Sequence, residues 1–328
     1  MNKSNVPNSP SSQFRSVLGW RLIWLAPLLL VAGCSTPNLR PFGDASKTLS
    51  ISVHNGGDLA IKPLADIPLW DGNALLEPGD PKHPAKALAL SWELRRKSMD
   101  AVLVYSASLV AISEAAAHSK ANAAQLVGSV KELAASVPSI GVGASKAGDL
   151  MVFGLQTFVE VKAWHNMRRA IQAADPAIQL VAKGLKKDFL ELSNEYESRQ
   201  RDRLIQKTVA LRPIERVYQS LQDQRNTKRA SVAAAPSDAA VGAELARLDA
   251  LVVGLEPDLT KMHAEKSQLQ DSLAEGTAFF AAAGAAVDAW AEAHADLVKC
   301  FEQNRAPNLT LLIARAEELN TLIGKLKH

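Results

Sequence analysis

The 328-residue chain is 47% hydrophobic and 22% charged but only 5% aromatic, and 53 of its residues are alanine. That apolar mass excludes a disordered chain. Two cysteines, Cys34 and Cys300, exclude both a disulfide-stapled fold and a multi-cysteine metal framework. The formal charge of +3 sits in residues 1–33, which hold Lys3, Arg15 and Arg21 and no acid; removing these three from the 37 Lys and Arg leaves 34, against 34 Asp and Glu. The rest of the chain is neutral, so electrostatics points to no nucleic-acid partner.

The N-terminus is a polar, basic stretch followed by the uncharged run Leu22–Gly33 and then Cys34. These twelve residues are too few to span a bilayer core of about 30 Å at about 1.5 Å per residue, and they fit the apolar region of an export signal. Leu30, Val31, Ala32 and Gly33 directly before Cys34 resemble the lipobox of bacterial lipoproteins. The resemblance implies cleavage after Gly33, diacylation of the Cys34 thiol and acylation of its new amino group. It also implies recognition of Ser35, which stands where a retention signal for the inner membrane would have Asp. That favours an outer-membrane anchor facing the periplasm over the inner membrane. Multiple acyl chains would hold the protein firmly to a bilayer surface.

Proline divides the chain beyond Cys34: seven of sixteen lie from Pro37 to Pro84, and six in all the residues after Pro84. Residues 34–83 read as a Pro-rich tether. Within it Thr48–Val53 alternates polar and apolar, and Leu59–Ile61 returns after His54-Asn-Gly-Gly-Asp58, which predicts a small β-hairpin.

From Pro84 the pattern is helical to the end. One face carries Leu88, Trp92, Met99, Val102, Leu109 and Ile112, and the helix continues, rich in Ala and Ser, to about Ala135. Pro138 and the glycines of 141–148 break it. A second helix carries Leu150, Phe153, Phe158, Val161, Trp164 and Ile171. Asp175-Pro176 reads as N-cap and first residue of a third, marked by Ile178, Val181, Leu185, Phe189, Leu192 and Tyr196. A short piece starts at Pro213, and Asn226–Ala240 reads as an interhelical loop. The longest regularity comes next, with apolar residues spaced by threes and fours from Val241 through Leu273 to Phe301. It predicts coiled-coil packing, with a kink at Pro257 or a hinge at Glu275-Gly276. A last helix follows Pro307.

No chemistry-bearing pattern emerges. Gly141–Gly148 lacks the Gly-Lys-Ser/Thr ending of a phosphate loop. No two of the seven histidines are three or four apart, so no helical zinc pair exists. His294 falls in the core register beside Trp290 and Leu297 and reads as a buried histidine bonded to a neighbour. Cys300 reads as an inert, partly buried thiol, with a disulfide between two copies as the rival. The expected catalytic, cofactor and metal sets are empty.

The predicted protein is all-α: residues 1–33 a signal peptide, 34–83 a tether, and 84–328 a bundle of long antiparallel helices. It is expected to be a non-enzymatic scaffold or adaptor for envelope proteins. It would be held to the membrane by its N-terminal lipid and would pair with itself through helix faces or Cys300. The alternative is a membrane-active protein, because Val137–Trp164 is an apolar stretch between long helices, a layout similar to that of haemolysin E-type pore formers. A cell-wall hydrolase is the least favoured reading.

Overall fold

The computed structural model describes residues 38–65, 69–70, 75–77, 80, 82–114, 120–136, 163–234, 239–303 and 305–327. Six α-helices account for almost all of them: α1 (Arg40–Ala65), α2 (Pro84–Glu114), α3 (Lys120–Ser136), α4 (Ala163–Ala234), α5 (Ala239–Gln303) and α6 (Thr310–Leu326). The strand pair β1 (Leu69–Trp70) and β2 (Leu75–Leu76) is antiparallel and two residues long on each side. Cys34 and the rest of the lipobox lie outside the described residues, as does all of Val137–Trp164 except Ala163 and Trp164 at its end.

The β-hairpin expected over Thr48–Ile61 is a helix instead. Asn38 starts it, its side-chain oxygen accepting the Arg40 N–H at 3.0 Å. The buried residues then run Phe42, Ser46, Leu49, Val53, Gly56, Ala60 and Leu64, a three-and-four spacing that the polar–apolar alternation of Thr48–Val53 hides. The serines that looked like the polar face of a strand are interhelical groups. Ser50 donates to the Met99 carbonyl at 3.2 Å and Ser52 to the Asn320 side chain at 2.8 Å. The glycines that looked like a turn are contact points: a Cβ on Gly56 would meet the Phe279 ring at 2.1 Å, and one on Gly57 the Trp92 ring at 2.1 Å. α1 therefore belongs to the helical body and not to a flexible tether.

Three further expectations change. The Ala/Ser-rich stretch after Leu109 is not one straight helix; α2 and α3 pack against each other, and Ser98 of α2 donates to the Ser136 carbonyl of α3. Pro176 and Pro213 do not start helices but lie inside the 72-residue α4. The region 226–240 is helical up to Ala234 and again from Ala239. Of the two alternatives left open for 241–301, the structure gives the single helix: Pro257 lies inside the 65-residue α5, which continues through Gly276. A proline inside a helix removes one backbone bond. In these two helices a partner packed alongside supplies the cohesion that an isolated helix would lack.

α1 and α2 run antiparallel, Arg40 pairing with Glu114 and Asp58 with Trp92. α5 antiparallels α1, with Phe42 near His294 and Gly56 near Phe279. The core lies among α1, α2, the first part of α4, the last part of α5 and α6, with Trp92, Trp290, Tyr105, Phe189, Phe279 and Phe280 fully enclosed.

The tight glycine contacts give a test of opposite signs. Gly57→Ala should lower stability by about 1–3 kcal/mol through overpacking against Trp92, despite alanine's better helix propensity. Gly254→Ala, where an added Cβ meets nothing within 4 Å, should raise stability by up to about 1 kcal/mol. Urea unfolding of the two variants checks both signs.

Candidate functional site

Cross-helix bonds show how α4 and α5 are paired. Along α4 from its start, Arg168 and Gln172 reach Glu302, Gln179 donates to the Ala291 carbonyl, and Lys186 bonds Asp288. Further on, Tyr196 donates to the Ser272 carbonyl, Lys207 meets Glu265, Glu215 meets His263, and Arg225 and Arg229 converge on Asp249. The α5 partner number falls as the α4 number rises. The register is antiparallel and in step over about 60 residues, about 90 Å at 1.5 Å per residue.

The other helices clothe only one half of this pair. Among the described residues, those buried on α4 beyond Gln200 and on α5 before Gly276 are Leu211, Leu248 and Val252. The heptad residues Leu245, Leu255, Leu259, Met262, Leu269 and Leu273 are half-buried, as expected where two helices share a seam without further cover. Ile205, Val209, Val217, Leu251 and Val253 are exposed. This half is a two-helix arm, and α1 begins at the opposite end of the body from it.

Where the arm leaves the body lies an open cleft of about 650 Å³. The C-terminal parts of α1 and α6 form one side, with Leu59, Pro63 and Leu326, and α4 and α5 form the other. A polar chain runs along its floor: Arg203 donates to Gln200 at 3.1 Å, Gln200 to the Tyr196 hydroxyl at 3.1 Å, and Tyr196 to the Ser272 carbonyl at 2.7 Å. Lys207 of α4 and Glu265 of α5 pair on their side of the cleft, and that pairing, against some desolvation, holds the Glu265 carboxyl below its usual value. Burial lowers the Arg203 pKa, and no carboxylate pairs with its guanidinium among the described residues. Arginine stays charged regardless. The polar floor joins Ser272 to residues up to 76 positions away in sequence, and its trace there was the basic run Arg199-Gln-Arg-Asp-Arg203.

The residues singled out from sequence have structural roles. His294 is fully buried; its Nδ1 lies 2.9 Å from Asp175 and its Nε2 2.6 Å from the Tyr105 hydroxyl. Burial, and then the charge of Asp175, raise the Tyr105 pKa well above its ordinary value, so the phenol keeps its proton. Burial pushes Asp175 up, but hydrogen bonds from His294 and Gln179 outweigh it and keep the carboxyl ionised. Nε2 faces the Tyr105 hydroxyl and Nδ1 faces the Asp175 carboxyl, so each ring nitrogen has a hydrogen-bond partner. Asp175, expected as an N-cap, is thus the side-chain partner of a buried histidine. Tyr105 and His294 are at 0% exposure and the Asp175 side chain at 26%, so the constellation links α2, α4 and α5 with only the carboxyl partly open to solvent.

Cys300 is a free thiol, fully buried, and donates to Asp296 at 3.4 Å. Burial, and then the bond and charge of Asp296, push it up to about 11, which leaves it protonated at neutral pH. Asp296 itself is held at about 2, first by the Arg305 guanidinium and, against some desolvation, by the Asn308 N–H at 2.7 Å and by Cys300. It ties the end of α5 to the turn into α6. No group of three or more His, Cys, Asp or Glu could hold a metal among the described residues, and no described helix is long and apolar enough to cross a membrane. No family model matches the chain, and no curated protein or solved structure does either.

The Asp296 brace carries a pH signature. Its folded pKa lies below the unfolded value of about 3.9, so its contribution is full above about pH 4 and fades as pH falls toward 2. Asp296→Asn should therefore melt below the wild type at pH 7, and the gap should narrow as pH falls from about 4 and close only below about pH 2, where the folded carboxyl is protonated too. A melting-temperature series against pH measures this.

Proposed function

We propose that the protein is a lipid-anchored, non-enzymatic scaffold of a bacterial envelope that presents its two-helix arm to another envelope protein. The arm is the observation that carries this reading: it extends beyond the core, among the described residues its seam is covered by its own two helices alone, and it bears exposed Ile205, Val209, Val217, Leu251 and Val253. A projecting two-helix element that other helices leave uncovered, with apolar side chains among its exposed residues, has surface that a partner helix can cover. The lipobox-like Leu30–Cys34 supports anchoring through acylated Cys34 and, with Ser35, placement in the outer membrane facing the periplasm. Cys34 precedes Asn38 by four residues, at most about 14 Å of extended chain.

Two measurements test the two halves of the reading. Cys34→Ala should abolish palmitate incorporation and leave the precursor uncleaved; cleavage at the same site would remove the lipoprotein assignment. A photo-crosslinking residue at Val217 or Val253 should give an adduct of one discrete mass in intact cells, and one at exposed Lys47 on α1 should give none. Adducts from Lys47 with none from the arm would place the contact surface on the body instead.

A further inference from the structure

The cleft at the root of the arm is built differently on its two sides. Leu59, Leu269 and Leu326 give it apolar walls, and the polar floor sets a guanidinium between them. The volume, about 650 Å³, falls within the range of sites that bury small organic ligands. The charges that line it do not balance. Lys207 is met by Glu265, whereas Arg203 and Lys327 pair with no carboxylate among the described residues. Arg203 is half-buried, and Gln200 holds its fork in place from one turn below. A guanidinium shielded from water and lacking a counter-charge is poised for a carboxylate or phosphate, which its parallel N–H groups can grip in two-point fashion. Lys327, at the end of α6, adds a second positive charge at the rim.

We propose that this cleft binds an anionic single-chain amphiphile, its acid group on Arg203 and its apolar part against Leu59, Leu269 and Leu326. The charge excess excludes a cationic ligand, and the apolar walls disfavour a small, fully hydrated anion. Carboxylate and phosphate head groups share the chemistry that Arg203 recognises. The site is independent of the lipid on Cys34 and of the arm's outer surface. Because the cleft walls come from α1, α4, α5 and α6 together, a bound amphiphile would brace the arm against the body.

The test is calorimetric titration of octanoate, octyl phosphate, octanol and octyltrimethylammonium into the full chain. Octanoate or octyl phosphate should bind saturably at one site, with the tighter of the two naming the head group. Octanol should bind at least tenfold more weakly, and octyltrimethylammonium should not bind. Arg203→Met should weaken the anion at least tenfold and leave octanol unchanged, which shows that the cleft is still formed. Arg203→Lys should recover part of the loss. Equal binding of the anion by wild type and Arg203→Met, equal binding of the cation and the anion, or no saturable binding of either anion would overturn the proposal.

Discussion

The antiparallel seam between α4 and α5 is the constraint on which the rest of the structure depends. Helices of 72 and 65 residues are not held by their own propensity; each needs a partner along its apolar stripe. In the lower half that stripe is widened by α1, α2 and α6 into an enclosed core. In the upper half the two helices have only each other among the described residues. The change in cover along one continuous pair creates both the arm and the cleft beneath it.

Charge fixes how the two helices line up more than how strongly they hold. The ion pairs Lys207–Glu265, Glu215–His263 and Arg229–Asp249 are partly exposed, and such pairs contribute about 0–1 kcal/mol each. Shifting α4 by one turn would break all of them. The buried links do the same inside the body. Asp175, His294 and Tyr105 can be satisfied together only when α2, α4 and α5 stand at one height, since any slip leaves a polar group orphaned in the core.

The helical class and most core faces were legible in the sequence because they rest on periodicity. Leu88 to Leu109 on α2, Ile178 to Tyr196 on α4 and Phe280 to Phe301 on α5 are buried as their spacing requires. His294 was legible for the same reason, as a polar residue in an apolar register. α1 was not, because its close contacts use Ser and Gly, whose ordinary signals are strands and turns. Gly56 and Gly57 are there for the rings of Phe279 and Trp92, which no local pattern reveals. Pro176 and Pro213 misled for the converse reason: a proline's local signal is a helix start, and packing along α5 overrides it. The cleft was illegible since α1, α4, α5 and α6 each supply part of it. Arg203 stood in plain view as one member of a charge run, with no sign that none of the described carboxylates pairs with it.

The projecting arm requires α4 and α5 to form one continuous pair from the body to the arm's end, through Pro213. The distance between spin labels at the exposed positions Arg201 and Ala230, on either side of that proline, tests this most directly. A continuous helix spaces the two backbones by about 44 Å, with a narrow distribution, since 29 residues rise about 1.5 Å each. A broad distribution centred well below that value would mean that the chain bends or breaks at Pro213, and the projecting arm would not exist.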